Sequence, residues 1–153
     1  LQGADTNYFF HHEVIKKSNG NFLAIAADPI RLDFSGTGGA ADSLVISESI
    51  LEFNPAGNMV WKWEAKNQLD TTSFVENLAG NYWANRFPGS YSWLHANGLA
   101  IDLDGGILLS ARKSSQVFKI NPNNKSIIFT AGSPGSCFNR YFKNGSRRHR
   151  KEI

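Results

Sequence analysis

The stretch ILEFNPAGNMVW, residues 50–61, lies over VFKINPNNKSII, residues 117–128, at a constant offset of 67 residues. Each stretch reads as an apolar strand, a turn built on Asn-Pro, and a second apolar strand. Upstream, NGNFLA at 19–24 lies over DGGILL at 104–109 at an offset of 85 residues. The chain therefore contains two copies of one structural unit.

The two offsets differ by 18 residues, so the first copy carries an insertion, and we expect the Gly- and Asp-rich stretch 28–42 to form it as a longer loop. Short aliphatic and aromatic runs alternate with Gly, Asn, Pro, Asp and Ser clusters, and long helical periodicity is absent. This pattern is typical of an all-β chain of short strands. The predicted strands are 22–26, 43–47, 50–54, 59–64, 98–103, 107–111, 116–120 and 126–130.

Each unit reads as about four antiparallel strands over about 45 residues, which is the size of a β-propeller blade. Closing a propeller takes roughly four to eight blades, whereas this chain supplies two, joined by a long loop at 66–92. We therefore predict a partial β-propeller spanning residues 1–132. The alternative is a two-sheet sandwich made by one duplication; it fits the length of 153 residues better, and the residue pattern favours neither.

The formal net charge of +3 divides unevenly along the chain. Residues 139–153 carry six basic side chains against Glu152, whereas the body at 1–138 is mildly acidic. We expect 133–153 to be a basic, disordered or aberrant tail, because a run of like charges at a terminus is usually solvated. Binding of nucleic acid through this tail is the weaker alternative.

Several other classes of protein are excluded by composition. No stretch approaches the roughly 18 consecutive apolar residues of a membrane-spanning helix, so we expect no membrane partner. Cys137 is the single cysteine, which excludes an internal disulfide and a cysteine-based zinc site. The Gly-rich stretch 35–39 lacks the Lys-Ser/Thr of a phosphate-binding loop. We expect neither a metal nor a cofactor. The first residues lack an initiator Met and a signal-peptide pattern, which suggests that an upstream segment has been removed.

Histidine lies ahead of the Gly turn in each unit, as His11 and His12 in the first and His95, followed by Asn97, in the second. Equivalent positions of successive propeller blades converge on one central channel. Strand alternation places His95 and Asn97 on one face and allows only one of His11 and His12 to point inward. Together with Arg112, which follows an apolar strand, they would form a cationic pocket for sulfate or phosphate.

The same residues have a structural interpretation. The histidines beside Phe10 and Trp93 could be hydrogen-bonded core residues, and Arg112 could be solvated. Trp61 and Trp63 share a strand face and are expected to pack between the units, with an aryl-binding role as the alternative. The aromatic residues that precede His95 either stack on a flat substrate or anchor the loop: Tyr82, Trp83, Phe87, Tyr91 and Trp93.

Three motifs, HHEV with SNGNFL (11–23), ILEFNPAGNMVWKW (50–63) and WLHANG leading to LSARKSS (93–115), resemble the bacterial aryl-sulfate sulfotransferases, the arylsulfotransferases that use no nucleotide donor. The resemblance covers about residues 9–132. It implies a six-bladed propeller that moves a sulfuryl group from a phenolic sulfate ester to a phenol through a sulfohistidine intermediate. It also implies a periplasmic or secreted protein.

Carried over residue by residue, the resemblance assigns His12, His95, Asn97 and Arg112 to binding of the sulfuryl oxygens, with His11 as the fallback for His12. The nucleophilic histidine of the family lies on a later blade, beyond the Arg motif, where only His149 remains in this chain. We therefore interpret the chain as a fragment that is inactive alone. Its open blade edges would favour self-association, such as a homodimer. The alternative function is a non-catalytic β-propeller module that binds a ligand or a protein.

Overall fold

The computed structural model describes residues 8–37, 39–71, 83 and 85–132, and these form two β-sheets. The first sheet is an antiparallel meander of β1 Phe9–Lys16, β2 Phe22–Leu32, β3 Ser43–Phe53 and β4 Met59–Glu64, joined at β3 by the short parallel strand β5 Tyr91–Ser92. The second is a meander of β6 Ala96–Ile101, β7 Ile107–Ala111, β8 Gln116–Ile120 and β9 Ile127–Ala131. Within the described residues no helix is long and apolar enough to cross a bilayer.

Equivalent turns confirm the internal repeat. Gly20 between β1 and β2 and Gly105 between β6 and β7 both have left-handed φ values, of 87° and 82°. A residue with a Cβ is strained in that region, so glycine permits the same tight turn in both units. The all-β prediction is confirmed, and each unit contributes four consecutive antiparallel strands.

The expected loop at 28–42 is only partly a loop, and this prediction was wrong in its extent. Residues 28–32 continue β2 and pair with the first part of β3, from Asp28 opposite Ser47 to Leu32 opposite Ser43. The predicted strands 43–47 and 50–54 are accordingly one strand. Among the described residues, β1 pairs with β2 only as far as Ala27, so Pro29 has a described strand on one side alone, which is where a residue without an N–H is best tolerated.

A single apolar core lies between the two sheets. The first sheet contributes Leu23, Ile25, Ile50 and Trp63, and the second contributes Ile107, Leu109, Phe118 and Ile120, all nearly inaccessible to water. The indole of Trp63 donates to the carbonyl of Lys125 at 3.1 Å, and that of Trp61 donates to Pro122 at 2.8 Å. The expectation that these tryptophans lie between the units is confirmed.

The two units pack head to tail. By the offsets of the repeat, the inward residues Leu109 and Phe118 of the second sheet correspond to Ala24 and Leu51, which lie on the outer face of the first sheet. That outer face carries an apolar cleft of about 330 Å³. Its lining includes Phe10, Val14, Phe22, Ala24 and Phe53. The face that the second sheet turns toward the first is therefore equivalent, in the repeat, to the face that the first sheet turns outward.

The segment before β6 links the sheets, and here the predicted loop 66–92 needs a second correction. Tyr91 and Ser92 form β5, which pairs with Val45 and Ile46 of β3. Because β2 occupies one edge of β3 along its whole length, β5 lies on the other edge, beyond the end of β4. Ala96 then pairs with Ala111 in the second sheet. The chain thus passes from one sheet to the other within a few residues.

Replacing Trp63 by Phe tests the inter-unit core. The variant loses the indole donor to Lys125 and part of the buried volume, so we expect the free energy of unfolding to fall by about 2–4 kcal/mol. Urea denaturation followed by circular dichroism measures the change. Val60→Thr on the neighbouring exposed position is the control and should change stability by less than about 0.5 kcal/mol. Equal effects of the two substitutions would contradict this description of the core.

Candidate functional site

His12 and His95 share an unusual backbone conformation. Their φ values are 58° and 54°, in the left-handed region that few residues other than glycine adopt. His12 lies where the register of β1 against β2 shifts, between Phe10 and Val14. His95 directly precedes β6, whose register against β7 shifts between Ala96 and Gly98. His12 therefore lies inside the irregular interval of β1 and His95 just before that of β6, and the two units each bring one histidine to the same point.

The three histidine rings form one cluster. The ring centroids of His12 and His95 lie 5.2 Å apart in an edge-to-face arrangement, and those of His11 and His12 lie 5.0 Å apart. The two Nδ1 atoms of His11 and His12 are 2.7 Å apart, so one ring donates a hydrogen bond and the other accepts it. Burial still alternates along β1 here, with His11 half-buried and His12 exposed, and the expectation that only one of this pair points into a channel stays a prediction.

Burial and mutual repulsion hold the inner rings neutral. Burial lowers the pKa of His11 to about 4, with further lowering by the charges of His12 and His95. Burial is also the main cause of the lowered pKa of His95, followed by His12, Arg112 and Lys113. At neutral pH, His11 and His95 are therefore mainly uncharged imidazoles beside two permanent cations. A negatively charged ligand would be attracted to this cluster and would favour protonation of the rings.

Arg112 and Asn97 border the cluster and are both exposed. The backbone N–H of Arg112 donates to the carbonyl of His95 at 3.1 Å, which fixes the arginine beside the histidine. The carbonyl oxygen of Asn97 accepts a hydrogen bond from Ser110 at 2.7 Å, so its NH₂ group remains the donor end. Ser110 is the serine two residues before Arg112 in the motif LSARKSS, and the sequence pattern predicted no role for it.

Two carboxylates of the first sheet bind the backbone that carries His95. Glu13, next to His12, accepts the N–H of Leu99 at 2.6 Å. Glu48 in β3 is completely buried, and its Oε1 accepts the N–H of Ala96 at 3.3 Å. Burial raises the pKa of Glu48 to about 8, against the opposing effect of these backbone donors. Sequence reasoning missed Glu48, although a glutamate inside the apolar run VISESILEF was a signal.

Aromatic side chains lie on one side of the histidines. Trp83 contacts His11 with ring centroids 5.1 Å apart, and Phe87 lies 6.2 Å from Trp83 and 5.1 Å from Phe9. The guanidinium of Arg86 stacks over Phe9 at 4.3 Å. Of the other aromatic residues singled out in this stretch, Trp93 is buried in the core, Tyr91 lies exposed in β5 and Tyr82 lies outside the described residues.

Other sequence candidates do not add to the site. His149 and the tail 133–153 lie outside the described residues. Among the residues that the structure does describe, no group of three or more His, Cys, Asp or Glu side chains is arranged to hold a metal ion. Asp102 and Asp104 bind Lys119 at 2.7 and 2.6 Å and are thus accounted for as an exposed ion-pair network.

Replacing Trp83 by Ala tests whether this side chain shields the histidine cluster from water. Burial is the main cause of the low pKa of His11, so the variant should raise that pKa from about 4 toward 6.5, as measured by NMR titration of the imidazole. Below pH 6.5 the unfolded chain binds a proton at His11 that the folded wild type does not bind, so wild-type stability should fall as the pH is lowered from 6.5 to 4. The stability of the variant should fall less over the same range. Trp61→Phe is the control. An unchanged His11 titration in Trp83→Ala would refute the shielding.

Comparison with known proteins identifies the family of the chain. The family model of the arylsulfotransferases (ASST) matches residues 3–144, which is most of the chain. A search among curated proteins gave no match. The matched region includes both strand units and all four residues assigned above to sulfuryl binding, so the resemblance inferred from the motifs is confirmed. The chain belongs to the arylsulfotransferase family.

Proposed function

We propose that this chain supplies two neighbouring blades of a β-propeller and the sulfuryl-binding side of an aryl-sulfate sulfotransferase site. The observation that carries the proposal is the 5.2 Å contact between His12 and His95, one from each unit, in matching left-handed conformations. Side chains from neighbouring units are expected to meet where repeated units surround a common axis. The neighbouring Arg112 supplies a fixed positive charge.

The head-to-tail packing supports the propeller. In such an association each unit offers one face to the next unit and the opposite face to the previous one, so the series either closes as a ring or continues. The outer face of the first sheet is apolar, with Phe10 and Val14 substantially exposed. We propose that a preceding blade packs there. Without one, the exposed face favours self-association of the chain.

Binding of the sulfuryl group follows from the donors present. An aryl sulfate ester presents three sulfuryl oxygens that share a negative charge. Arg112, the amide of Asn97 and the imidazoles of His12 and His95 are donors that can surround such a group. As the ester bond breaks, charge builds on the sulfuryl and phenolic oxygens, and donors fixed beforehand stabilise that charge without reorganisation.

The proposed reaction is a double displacement. An imidazole nitrogen attacks sulfur, the N–S bond forms, and the S–O bond to the aryl group breaks to release a phenoxide, which takes up a proton. The hydroxyl of an acceptor phenol then attacks the sulfohistidine, loses its proton and receives the sulfuryl group as the N–S bond breaks. We assign His12 and His95 to binding and not to attack, since the family resemblance puts the nucleophile beyond Arg112.

The aromatic side chains beside the cluster suit the rest of the substrate. The rings of Trp83 and Phe87 contact each other, with centroids 6.2 Å apart, and the ring of Trp83 also contacts His11. Flat apolar surfaces of this kind stack on aryl groups. We therefore propose that the phenol rings of donor and acceptor bind on the Trp83 side of the histidines, with the sulfuryl group toward Arg112.

Sulfate titration of the 153-residue chain tests anion binding. We expect imidazole resonances of His12 and His95 to shift, and the pKa of His95 to rise, because a bound anion offsets the causes that lower it. Affinity should increase as pH falls from 7 to 5, since protonated rings bind the anion better. Arg112→Ala should weaken binding by about tenfold, the loss of one charged hydrogen bond.

The control for this titration is Arg31→Ala, because Arg31 is an exposed arginine outside the cluster. Chloride at matched ionic strength separates specific binding from screening. If Arg31→Ala and Arg112→Ala weaken binding equally, the cluster is not an anion site.

Transfer itself is tested with 4-nitrophenyl sulfate and phenol. The 153-residue chain should release no nitrophenol, and turnover by it would overturn our assignment of the nucleophile. In a longer natural protein that contains this chain and transfers sulfuryl groups, Arg112→Ala and His95→Asn should each lower kcat by about 10²–10³-fold. Unchanged transfer in both variants would show that Arg112 and His95 take no part in the reaction and would refute the proposed sulfuryl-binding site.

A further inference from the structure

Glu48 reaches from the first sheet to the backbone that begins the second. It lies in β3, its side chain is inaccessible to water, and its Oε1 accepts the N–H of Ala96 at 3.3 Å. The backbone N–H groups of Leu94 and His95 face the same carboxyl group and, together with that of Ala96, lower its pKa against the effect of burial. Three successive amides thus converge on one side chain from another sheet.

The path of the chain explains why these amides need a side-chain partner. As far as Trp93, whose N–H donates to the carbonyl of Ile46 at 3.2 Å, the segment is bonded to the backbone of β3. It then leaves β3 to enter the second sheet. There the carbonyls of Leu94 and His95 accept hydrogen bonds from the backbone N–H groups of Lys113 and Arg112, at 2.9 and 3.1 Å respectively. The amides point back toward β3, where a carboxyl group is the natural acceptor.

His95 depends on this connection. Its φ of 54° is unfavourable for a residue with a side chain and persists only where surrounding contacts impose it. The carbonyl of His95 is held by Arg112 and its amide by Glu48. The ring is consequently fixed beside His12, which comes from the same sheet as Glu48.

We propose that Glu48 is a positioning residue for the histidine cluster: it binds the amides of residues 94–96 and thereby holds His95 in its left-handed conformation against His12. Its other oxygen, Oε2, is buried without a hydrogen-bond partner among the described residues, which suits a protonated carboxyl group. Glutamine has the same shape and the same accepting oxygen, whereas leucine fills the space and accepts nothing. The consequence for sulfuryl transfer rests on the function proposed above, but the positioning of His95 does not.

The experiment compares Glu48→Gln with Glu48→Leu by NMR and hydrogen exchange. Glu48→Gln should keep the exchange rates of the amides of residues 94–96 and the His95 titration of the wild type. In Glu48→Leu, those three amides should exchange at least tenfold faster relative to the other core amides, and the pKa of His95 should move toward its ordinary value. Unchanged exchange and an unchanged His95 titration in Glu48→Leu would overturn the proposal.

Glu52→Leu is the matched control, because Glu52 is the other glutamate of β3, also buried, and binds Lys17 and Asn21. It should lower overall stability while leaving residues 94–96 and the His95 titration as in the wild type. The same change at His95 in Glu52→Leu would show a general loss of structure and would overturn a specific role for Glu48.

A second measurement decides the matter if Glu48→Leu fails to fold. Direct ¹⁵N detection of the wild type from pH 4 to pH 9 should show the amides of Leu94, His95 and Ala96 titrating together, and Glu48→Gln should abolish that titration. Amides of residues 94–96 whose resonances shift with pH to the same extent in Glu48→Gln as in the wild type would overturn the proposal. None of these measurements uses sulfate or an aryl sulfate. If the protein fails to bind sulfate but gives the expected amide exchange and titrations, the proposed function is refuted and Glu48 is still the residue that positions His95.

Discussion

One short segment, residues 91–96, is bonded to both sheets. Its first part pairs with β3, and its last residue pairs with β7. Between these two ladders the backbone has polar groups that neither sheet can satisfy in the regular way, and buried peptide groups must find partners. Glu48 accepts the amides, and the backbone of Arg112 and Lys113 donates to the carbonyls. The relative position of the two units, and of the histidines they carry, follows from this junction.

The repeat made much of the fold predictable. The Asn-Pro turns and the glycine turns recur at fixed offsets, and the strands they flank are found close to their predicted positions. The extended hairpin was not predictable in the same way, because Asp28 and Pro29 are typical turn residues. They lie in a strand here because Ile30 packs against the core and because, among the described residues, β1 pairs with β2 only as far as Ala27. Local composition carries no information about which strand edges are free.

The site was predictable as a set of residue types but not as a geometry. His12 and His95 were identified because histidine precedes the Gly turn in each unit, and Arg112 because it follows an apolar strand. The contact between the rings of His11 and His12 depends on irregular strand pairing that alternation does not describe. Glu13 and Glu48 act on backbone groups remote in sequence, so no local motif marks them. The contacts that hold a site together are often made by residues that take no part in its chemistry.

The left-handed conformation of His12 and His95 also bears on how such a site can change over generations. Among residues with side chains, asparagine is one of the few that accept this conformation readily. Codons for histidine and asparagine differ only in their first base. A single nucleotide change can therefore remove the imidazole and keep the bend in the backbone. In a chain built from repeated units, one copy can lose its reactive ring while still folding and supporting its neighbour, so the number of histidines around the site can drift independently of the number of units.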